Sequence, residues 1–444
     1  MIKTNLITGF LMFVLSFNVA QSQDLNLAKL DSLVDLLAMS NKALGSVAIS
    51  KEGKILYSRA IGHIGTQNGK KKPANINSKY RIGSITKMFT AVMIMQLIEE
   101  KKLTLNTPLS KFYRKIPNAK KITISHLLKH QSGIFNFTGD PEYPTYMMYP
   151  HSEKEMVSII SKPDPEFEPG TKTSYSNANY VLLGFIVQKL TKDSYQQALS
   201  ERITSKLRLR NTYFGNKANL QKNEARSYKW QMNDWQIEPE TDMSIPHGAG
   251  AIVSTPTDLT KFIEGLFNHK LVKESSLKQM MNMTDGLGIG MFQFPFGEKK
   301  AFGHNGGIDG FASTLGYFPD EKIAIAYCTN GQAYPMNDIL IGLLSIYFNQ
   351  LYNLPNFKTI EVPPASLDQY TGVYSSSQIP LKITVTKEKD ALKAQATGQP
   401  AFTLEPAAKD VFKYDPSGVV MEFLPDKNQM TLKQGGGVFL FIKD

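Results

Sequence analysis

The sequence predicts an α+β protein: an antiparallel sheet built from both ends of the first 352 residues and flanked by helices, a mainly helical lobe between its halves, and a small β-barrel at the C-terminus. Three observations carry that expectation. Strand-turn-strand patterns with one neighbouring helix occur near both ends of residues 23–352, the stretch between them alternates helical segments with Pro/Gly-rich loops, and short apolar-alternating runs follow residue 364. The composition is that of a folded chain, since 42% of the 444 residues are hydrophobic and 20% are charged. The net charge of +11 is scattered in short groups such as Lys70, Lys71 and Lys72, without a basic stripe and interleaved aromatics, so nucleic acid is not an expected partner.

Taken in order, residues 1–22 read as an export signal. Lys3 supplies the positive region, residues 6–19 the apolar region, and Ala20-Gln21-Ser22 the small-x-small cleavage site. The apolar stretch contains Gly9 and Asn18 and falls short of the roughly 20 residues a spanning helix needs. A periplasmic or secreted protein is expected, with no stable membrane insertion after cleavage. Residues 25–39 carry apolar positions at helical spacing, and 46–50 and 55–59 flank Lys51-Glu52-Gly53-Lys54 as a hairpin. Residues 84–100, with Met88, Val92, Met93, Met95, Leu97 and Ile98, predict a helix buried on most sides, a rigid platform for whatever sits at its start. The helical lobe runs over 103–271. Strands are expected at 291–294, 311–318 and 323–329, and a closing helix at 336–352. The lone cysteine, Cys328, follows the apolar run 323–327 and is expected as a buried thiol, with no intrachain disulfide possible. Residues 353–364, with Pro355, Pro363 and Pro364, read as a linker. In 365–444 the runs 381–386, 411–414, 419–423 and 438–442 are separated by turn residues, the pattern of a small barrel or sandwich.

The chemistry-bearing stretch is Arg81-Ile82-Gly83-Ser84-Ile85-Thr86-Lys87, at the head of the buried helix. Three residues apart on a helix, Ser84 and Lys87 project from one face and can touch. A serine hydroxyl needs a base to become a nucleophile, and a desolvated lysine can have its pKa lowered enough to serve. The bland alternative is a helix-capping serine beside an exposed lysine. The pattern recurs at Ser275 and Lys278, so company decides: Tyr175-Ser176-Asn177 in a polar loop, then His304-Asn305-Gly306 at the entrance to the 311–318 strand. Tyr347-Phe348-Asn349 and His63-Ile64-Gly65 repeat those forms, but in a helix and a hairpin.

That ordered set resembles the serine β-lactamase and penicillin-binding protein superfamily, in particular the branch of class C β-lactamases, D-alanyl-D-alanine carboxypeptidases, D-aminopeptidases and esterases. The likeness spans about residues 30–350 and includes Ile124-Ser125-His126-Leu127-Leu128-Lys129-His130-Gln131-Ser132-Gly133-Ile134, the run 175–184, and the run from Gly248-Ala249-Gly250 to Asp258. The tail, opening with Leu367-Asp368-Gln369-Tyr370-Thr371-Gly372-Val373-Tyr374, is similar to the lipocalin-like barrel appended to members of the branch. The resemblance implies a β-lactamase/transpeptidase-like fold and an acyl-enzyme serine hydrolase without cofactor or metal, acting on a small molecule or peptide. It implies Ser84 as nucleophile, Lys87 as its first proton partner, and Tyr175 as a second relay if Lys87 and His304 hold its pKa down. Asn177 would donate to the substrate carbonyl, and His304, Gly306 and Gly307 would bind substrate, with the N–H groups of Ser84 and Gly307 as oxyanion hole.

His304 replaces the lysine that β-lactamases carry. Imidazole is largely neutral at pH 7, so strong β-lactamase activity is not expected. An ester or a D-amino-acid-type peptide or amide is the expected substrate; a D-Ala-D-Ala carboxypeptidase or weak β-lactamase is the alternative. A non-catalytic binding protein is disfavoured because every catalytic position is filled. His126 and His130 lie four apart on a predicted helix, but Leu127 stands where a zincin has glutamate, so packing or capping is expected. The aromatic run Tyr143, Tyr146, Met147, Met148 and Tyr149, and separately Trp230 and Trp235, are candidates for the rim of a substrate cleft.

Overall fold

A computed structural model describes residues 25–231 and 234–444; the predicted export signal lies outside the described residues. The chain enters α1 (Leu27–Met39) through Asn26, whose side chain accepts the Lys29 N–H. The hairpin of β1 (Ala43–Lys51) and β2 (Lys54–Ile61) turns through Glu52 and Gly53, both at positive φ. Then come α2 (Thr86–Glu99), α3 (Asn177–Thr191) and α4 (Pro256–Phe267), with shorter helices and hairpins between them, followed by β3 (Phe292–Phe296), β4 (Lys299–Ile308), β5 (Phe311–Phe318), β6 (Ile323–Gln332) and α5 (Met336–Tyr347). The antiparallel sheet has the order β3-β4-β5-β6-β1-β2, so the first strand pairs with the last, Ile49 opposite Ile325.

Both faces of this sheet are covered, which is why β1 and β6 read as nearly unbroken apolar runs rather than alternating ones. Val47, Ile49, Ile325 and Tyr327 pack against Leu30, Leu33 and Leu37 of α1 and Ile339 and Leu343 of α5. Ala324, Ala326 and Cys328 point the other way, into the larger core that holds α2, α4 and the helical lobe. Every residue from 86 to 97 is buried, as expected for a central helix.

Two elements differ from expectation. β4 has no sequence signature because Gly303, Gly306 and Gly307 lower its strand propensity. The first two are glycine for space, since a Cβ on Gly303 would lie 1.9 Å from the Leu315 carbonyl oxygen and one on Gly306 2.0 Å from that of Ile82. His304 therefore sits inside a strand rather than at the entrance to one. The closing helix stops at Tyr347, and Asn349 turns the chain at φ +53.

The C-terminal unit is a closed eight-stranded barrel: β7 (Gly372–Ser375), β8 (Lys382–Glu388), β9 (Ala391–Ala396), β10 (Phe402–Ala408), β11 (Val411–Tyr414), β12 (Val419–Leu424), β13 (Gln429–Gln434) and β14 (Gly437–Lys443). Alternate residues point inward, and Val385, Leu404, Phe412, Phe423, Met430 and Phe441 form its core with Tyr370 and Tyr374. The barrel is fastened to the sheet domain by charge. Lys42, almost fully buried, pairs with Asp415 at 2.7 Å and Glu405 at 3.4 Å. The expected linker is part of the seam: Phe357 meets Tyr334 edge to face, and the ammonium groups of Lys42 and Lys413 lie 5.6 and 5.5 Å from its ring centre. Among the described residues no helix is long and apolar enough to cross a membrane.

Candidate active site

The site begins where the short strand Tyr80–Arg81 gives way to a 3-10 turn, Gly83–Ile85, that runs straight into α2. Gly83 has φ +49 and a Cβ there would approach the Gly307 backbone nitrogen to 2.8 Å, so glycine is required both by conformation and by the docking of this turn on β4. β3 pairs with β4 only from Lys299 to Gly303, which leaves the edge beyond His304 free to receive the turn. Ser84 is thus held at the head of the most buried helix. It does not cap that helix, whose first turn follows Ile85.

Lys87 is fully buried, and its Nζ donates to Ser84 Oγ at 2.9 Å, Asn177 Oδ1 at 2.8 Å and the Ala249 carbonyl at 2.9 Å. Among the described residues none of its acceptors is a carboxylate, and burial holds the ammonium well below the ordinary lysine value. The rival pair separates on the same criterion, since Lys278 lies 73% exposed and bridged to Glu274. Asn177 is the first residue of α3, not part of a loop. Its carbonyl faces Lys87 while its amide reaches Asn136 and Thr138, each at 3.3 Å.

Tyr175 is packed between His130, whose ring stacks at 4.4 Å, and Phe292, at 6.4 Å. Burial pushes its phenol far above the usual tyrosine value, the Ser84 hydroxyl opposing in the other direction. The expected depression by Lys87 and His304 is therefore absent. The physical reason is that burial outweighs the opposing hydrogen bond at the phenol and His304 supplies no positive charge beside it, its imidazole being pushed down to about 3 by burial first and Lys87 second. His304 is buried, 4.3 Å from Phe292 and 6.3 Å from Tyr175 between ring centres. Its Nδ1 faces the Asn305 carbonyl, so in the neutral ring Nδ1 carries the proton and Nε2 is the bare nitrogen.

Ser84, Asn177 and Gly307 line a cleft of about 270 Å³ together with Thr138, Tyr143, Met147 and Asp309. A Cβ on Gly307 would meet nothing within 4 Å, consistent with its facing open space. Lys87, Tyr175, His304 and Gly306 are not among the residues that line the cleft; Gly306 packs on the Ile82 carbonyl and the Ser313 hydroxyl, where the missing side chain lets the strand approach the turn. Of the aromatic run, Tyr143 and Met147 reach the cleft, while Tyr149 is exposed elsewhere. Trp235 is buried in a separate cluster with Leu44 and Ala333, its Nε1 donating to Asn41 at 2.7 Å, and Trp230 packs there too. His126 completes a capping box at Thr123, and the helix Ile124–Leu128 ends before His130, which has φ +56, so the two histidines share no helix face.

Sequence inspection missed one group. Arg81, buried, donates to Asp309 at 3.0 Å, to Glu240 at 3.1 Å and to the Thr241 and Asn216 carbonyls, and Asp309 in turn accepts from Thr241 Oγ1 at 2.6 Å. This network joins the residues just before Ser84 to those just after Gly307. An arginine in an otherwise apolar buried stretch was the available signal.

The arrangement defines a class. Residues 33–342 match the Beta-lactamase family model, and the chain belongs to that family; it is a serine hydrolase related to the β-lactamases and penicillin-binding proteins. Residues 357–432 match a domain of unknown function (DUF3471). Among curated proteins, the chain is similar to the teichoic acid D-alanine hydrolase of Staphylococcus aureus, 26% identical over 299 residues that cover 66% of this chain and 72% of the relative. Among solved structures, it is similar to the D-amino acid amidase of Ochrobactrum anthropi SV3, at 26% identity and TM-score 0.62 over 73% of this chain and 99% of that one. The octameric penicillin-binding protein homologue from Pyrococcus abyssi, at 24% identity and TM-score 0.64, covers 94% of this chain and shares the fold.

Proposed function

We propose that this protein is an exported hydrolase that forms an acyl-enzyme on Ser84 from a carboxylic ester or a D-amino-acid-type amide whose leaving group carries no free carboxylate. The observation that carries the reading is the partly buried contact between Lys87 Nζ and Ser84 Oγ at 2.9 Å, at the cleft that Ser84 lines. Neutral Lys87 takes the Ser84 proton as Oγ attacks the carbonyl carbon. The negative charge that develops on the carbonyl oxygen is met by the backbone N–H groups of Ser84 and Gly307, fixed before the reaction begins. Collapse expels the alcohol or amine, which takes a proton from the Lys87 and Tyr175 side of the site. Tyr175, held protonated by burial, suits a donor there rather than a base. Water then repeats the sequence on the ester of Ser84.

Substrate class follows from charge. Burial keeps His304 neutral, so the position where β-lactamases carry lysine does not offer the permanent cation that a substrate carboxylate would require, and the cleft residue Asp309 is already paired with Arg81. Relatives named as a D-alanine hydrolase and a D-amino acid amidase support the same class. Export rests on residues 1–22. The test is a panel of p-nitrophenyl acetate, a D-alanyl ester, D-phenylalanine amide, a D-Ala-D-Ala peptide and nitrocefin, with a fluorophosphonate probe on wild type and Ser84→Ala. Ester or D-amino amide turnover and loss of labelling in Ser84→Ala are expected. Labelling retained on another serine, or nitrocefin and D-Ala-D-Ala as the best substrates, would overturn the proposal.

A further inference from the structure

The barrel core is filled unevenly. Tyr370 and Tyr374 pack with Phe412 and Phe423 at one end, ring centres 4.9 to 5.7 Å apart. Toward the other end lies a cavity of about 300 Å³ that the chain itself leaves open. Its walls come from six consecutive strands, β8 to β13, and the strand residues that form them belong to the inward-facing set: Ile383, Phe402, Tyr414, Val419, Met421 and Leu432. The cavity therefore reaches into one end of the barrel interior and opens to solvent there. Phe402 and Tyr414 stack at 4.5 Å and 23° to form one flat wall, both only partly buried although their neighbours Val419, Met421 and Leu432 are fully so.

Two features select the occupant. In a chain that is 20% charged, none of the residues lining this cavity carries a charge. The mouth is rimmed by uncharged polar groups, Gln399, Ser417 and Gln434, with the Gln434 amide already donating to the Ser417 carbonyl at 3.1 Å. An apolar chamber with a few polar groups at its mouth, of a volume at the small end for ligand sites, is the form such sites take. A charged group taken inside would find no partner for its lost hydration.

We propose that the open end of the barrel binds one uncharged, mainly apolar small molecule, of the size of two fused aromatic rings or a medium-length acyl chain, lying against the Phe402–Tyr414 wall with any polar end at the glutamine rim. The site is separate from Ser84 and does not depend on the substrate of the hydrolase.

The experiment titrates the full chain with N-phenyl-1-naphthylamine, a neutral probe whose fluorescence rises in apolar surroundings. One saturable site per chain is expected, with binding at least about tenfold weaker for the anionic 1-anilinonaphthalene-8-sulfonate and unaffected when Ser84 is first blocked by a fluorophosphonate. Ala401→Trp, on the exposed rim, and Ala396→Trp, inside the mouth, should each weaken the neutral probe at least tenfold with the thermal melt unchanged. Should Ala396→Trp unfold the barrel, Ala401→Trp alone decides. No saturable binding, binding lost on blocking Ser84, equal affinity for the anionic probe, or indifference to Ala401→Trp in the folded protein would each overturn the proposal.

Discussion

Lys87 is buried, and burial outweighs its three hydrogen-bond acceptors, none a carboxylate, so its proton should leave well below the ordinary lysine range. Turnover should then rise with pH along a limb lying well below that range, and Lys87→Ala should lower kcat by at least about 10²-fold, a cost typical of losing a positioned proton carrier. A near wild-type rate in that variant would end the activation scheme. Stability has its own pH dependence at His304. Folded, this imidazole titrates at about 3; unfolded, at about 6.5, so between those values the unfolded chain holds a proton the folded one lacks. Stability contributed by this group is therefore lost as pH falls below about 6.5, by at most about 1.4 kcal/mol per unit. His304→Gln should flatten the slope of urea-unfolding stability between pH 6.5 and 4.5 by one proton's worth; an unchanged slope would assign the effect to the other buried histidines, His130 and His247. His304→Lys should leave nitrocefin a poor substrate and injure ester turnover, because an ammonium cannot accept a hydrogen bond as Nε2 can. A large nitrocefin gain with ester turnover unharmed would favour a carboxylate-bearing substrate.

At the scale of elements, the site is a docking problem between a turn and a strand edge. Gly306→Ala places a methyl group against the Ile82 carbonyl and should cost about 1–3 kcal/mol as well as most of the activity, whereas Gly307→Ala has room and should melt near wild type while narrowing the cleft. Equal melting temperatures for the two variants would contradict this division. Removing Arg81 leaves Asp309 and Glu240 without their buried cation, so Arg81→Ala should cost about 3–5 kcal/mol in urea unfolding. What sequence could disclose follows the same line. α1 was visible from its apolar spacing, α2, β1, β5 and β6 from apolar runs buried on nearly every side, β2 from the turn that joins it to β1, and Ser84 with Lys87 because both lie within one helical turn. β4 was hidden by the glycines its close contacts demand. Asn177 looked like loop because its polar neighbours conceal a buried helix that begins there. The Arg81–Asp309 pair and the phenol environment of Tyr175 arise from residues far apart in the chain, whose meeting no local pattern encodes.

For the whole molecule, the sheet and both its covering helices close before residue 348, so residues 25–355 should fold without the barrel. That truncation, however, strips Phe357 from Tyr334 and the carboxylate partners from Lys42, so it should melt lower than a chain ending at 361, which keeps the aromatic cover. Identical melts, or aggregation of both, would assign the seam a different weight. In the full chain, Asp415→Ala leaves Lys42 with only its longer pair to Glu405 and should speed protease cleavage within 349–363 several-fold. The order of the sheet has a consequence for synthesis. Because β1 inserts between β2 and β6, its partner strand leaves the ribosome only after the entire helical lobe, and the central pairing must close a very long loop. In the chain ending at 361, without the barrel, a circular permutant that opens at Asp285-Gly286, where the turn is uncrowded, and joins the end to α1 through a flexible segment would place all six strands in one unbroken stretch. The part of the native chain that is completed last would become the first to emerge, and refolding should accelerate even if the final stability does not change.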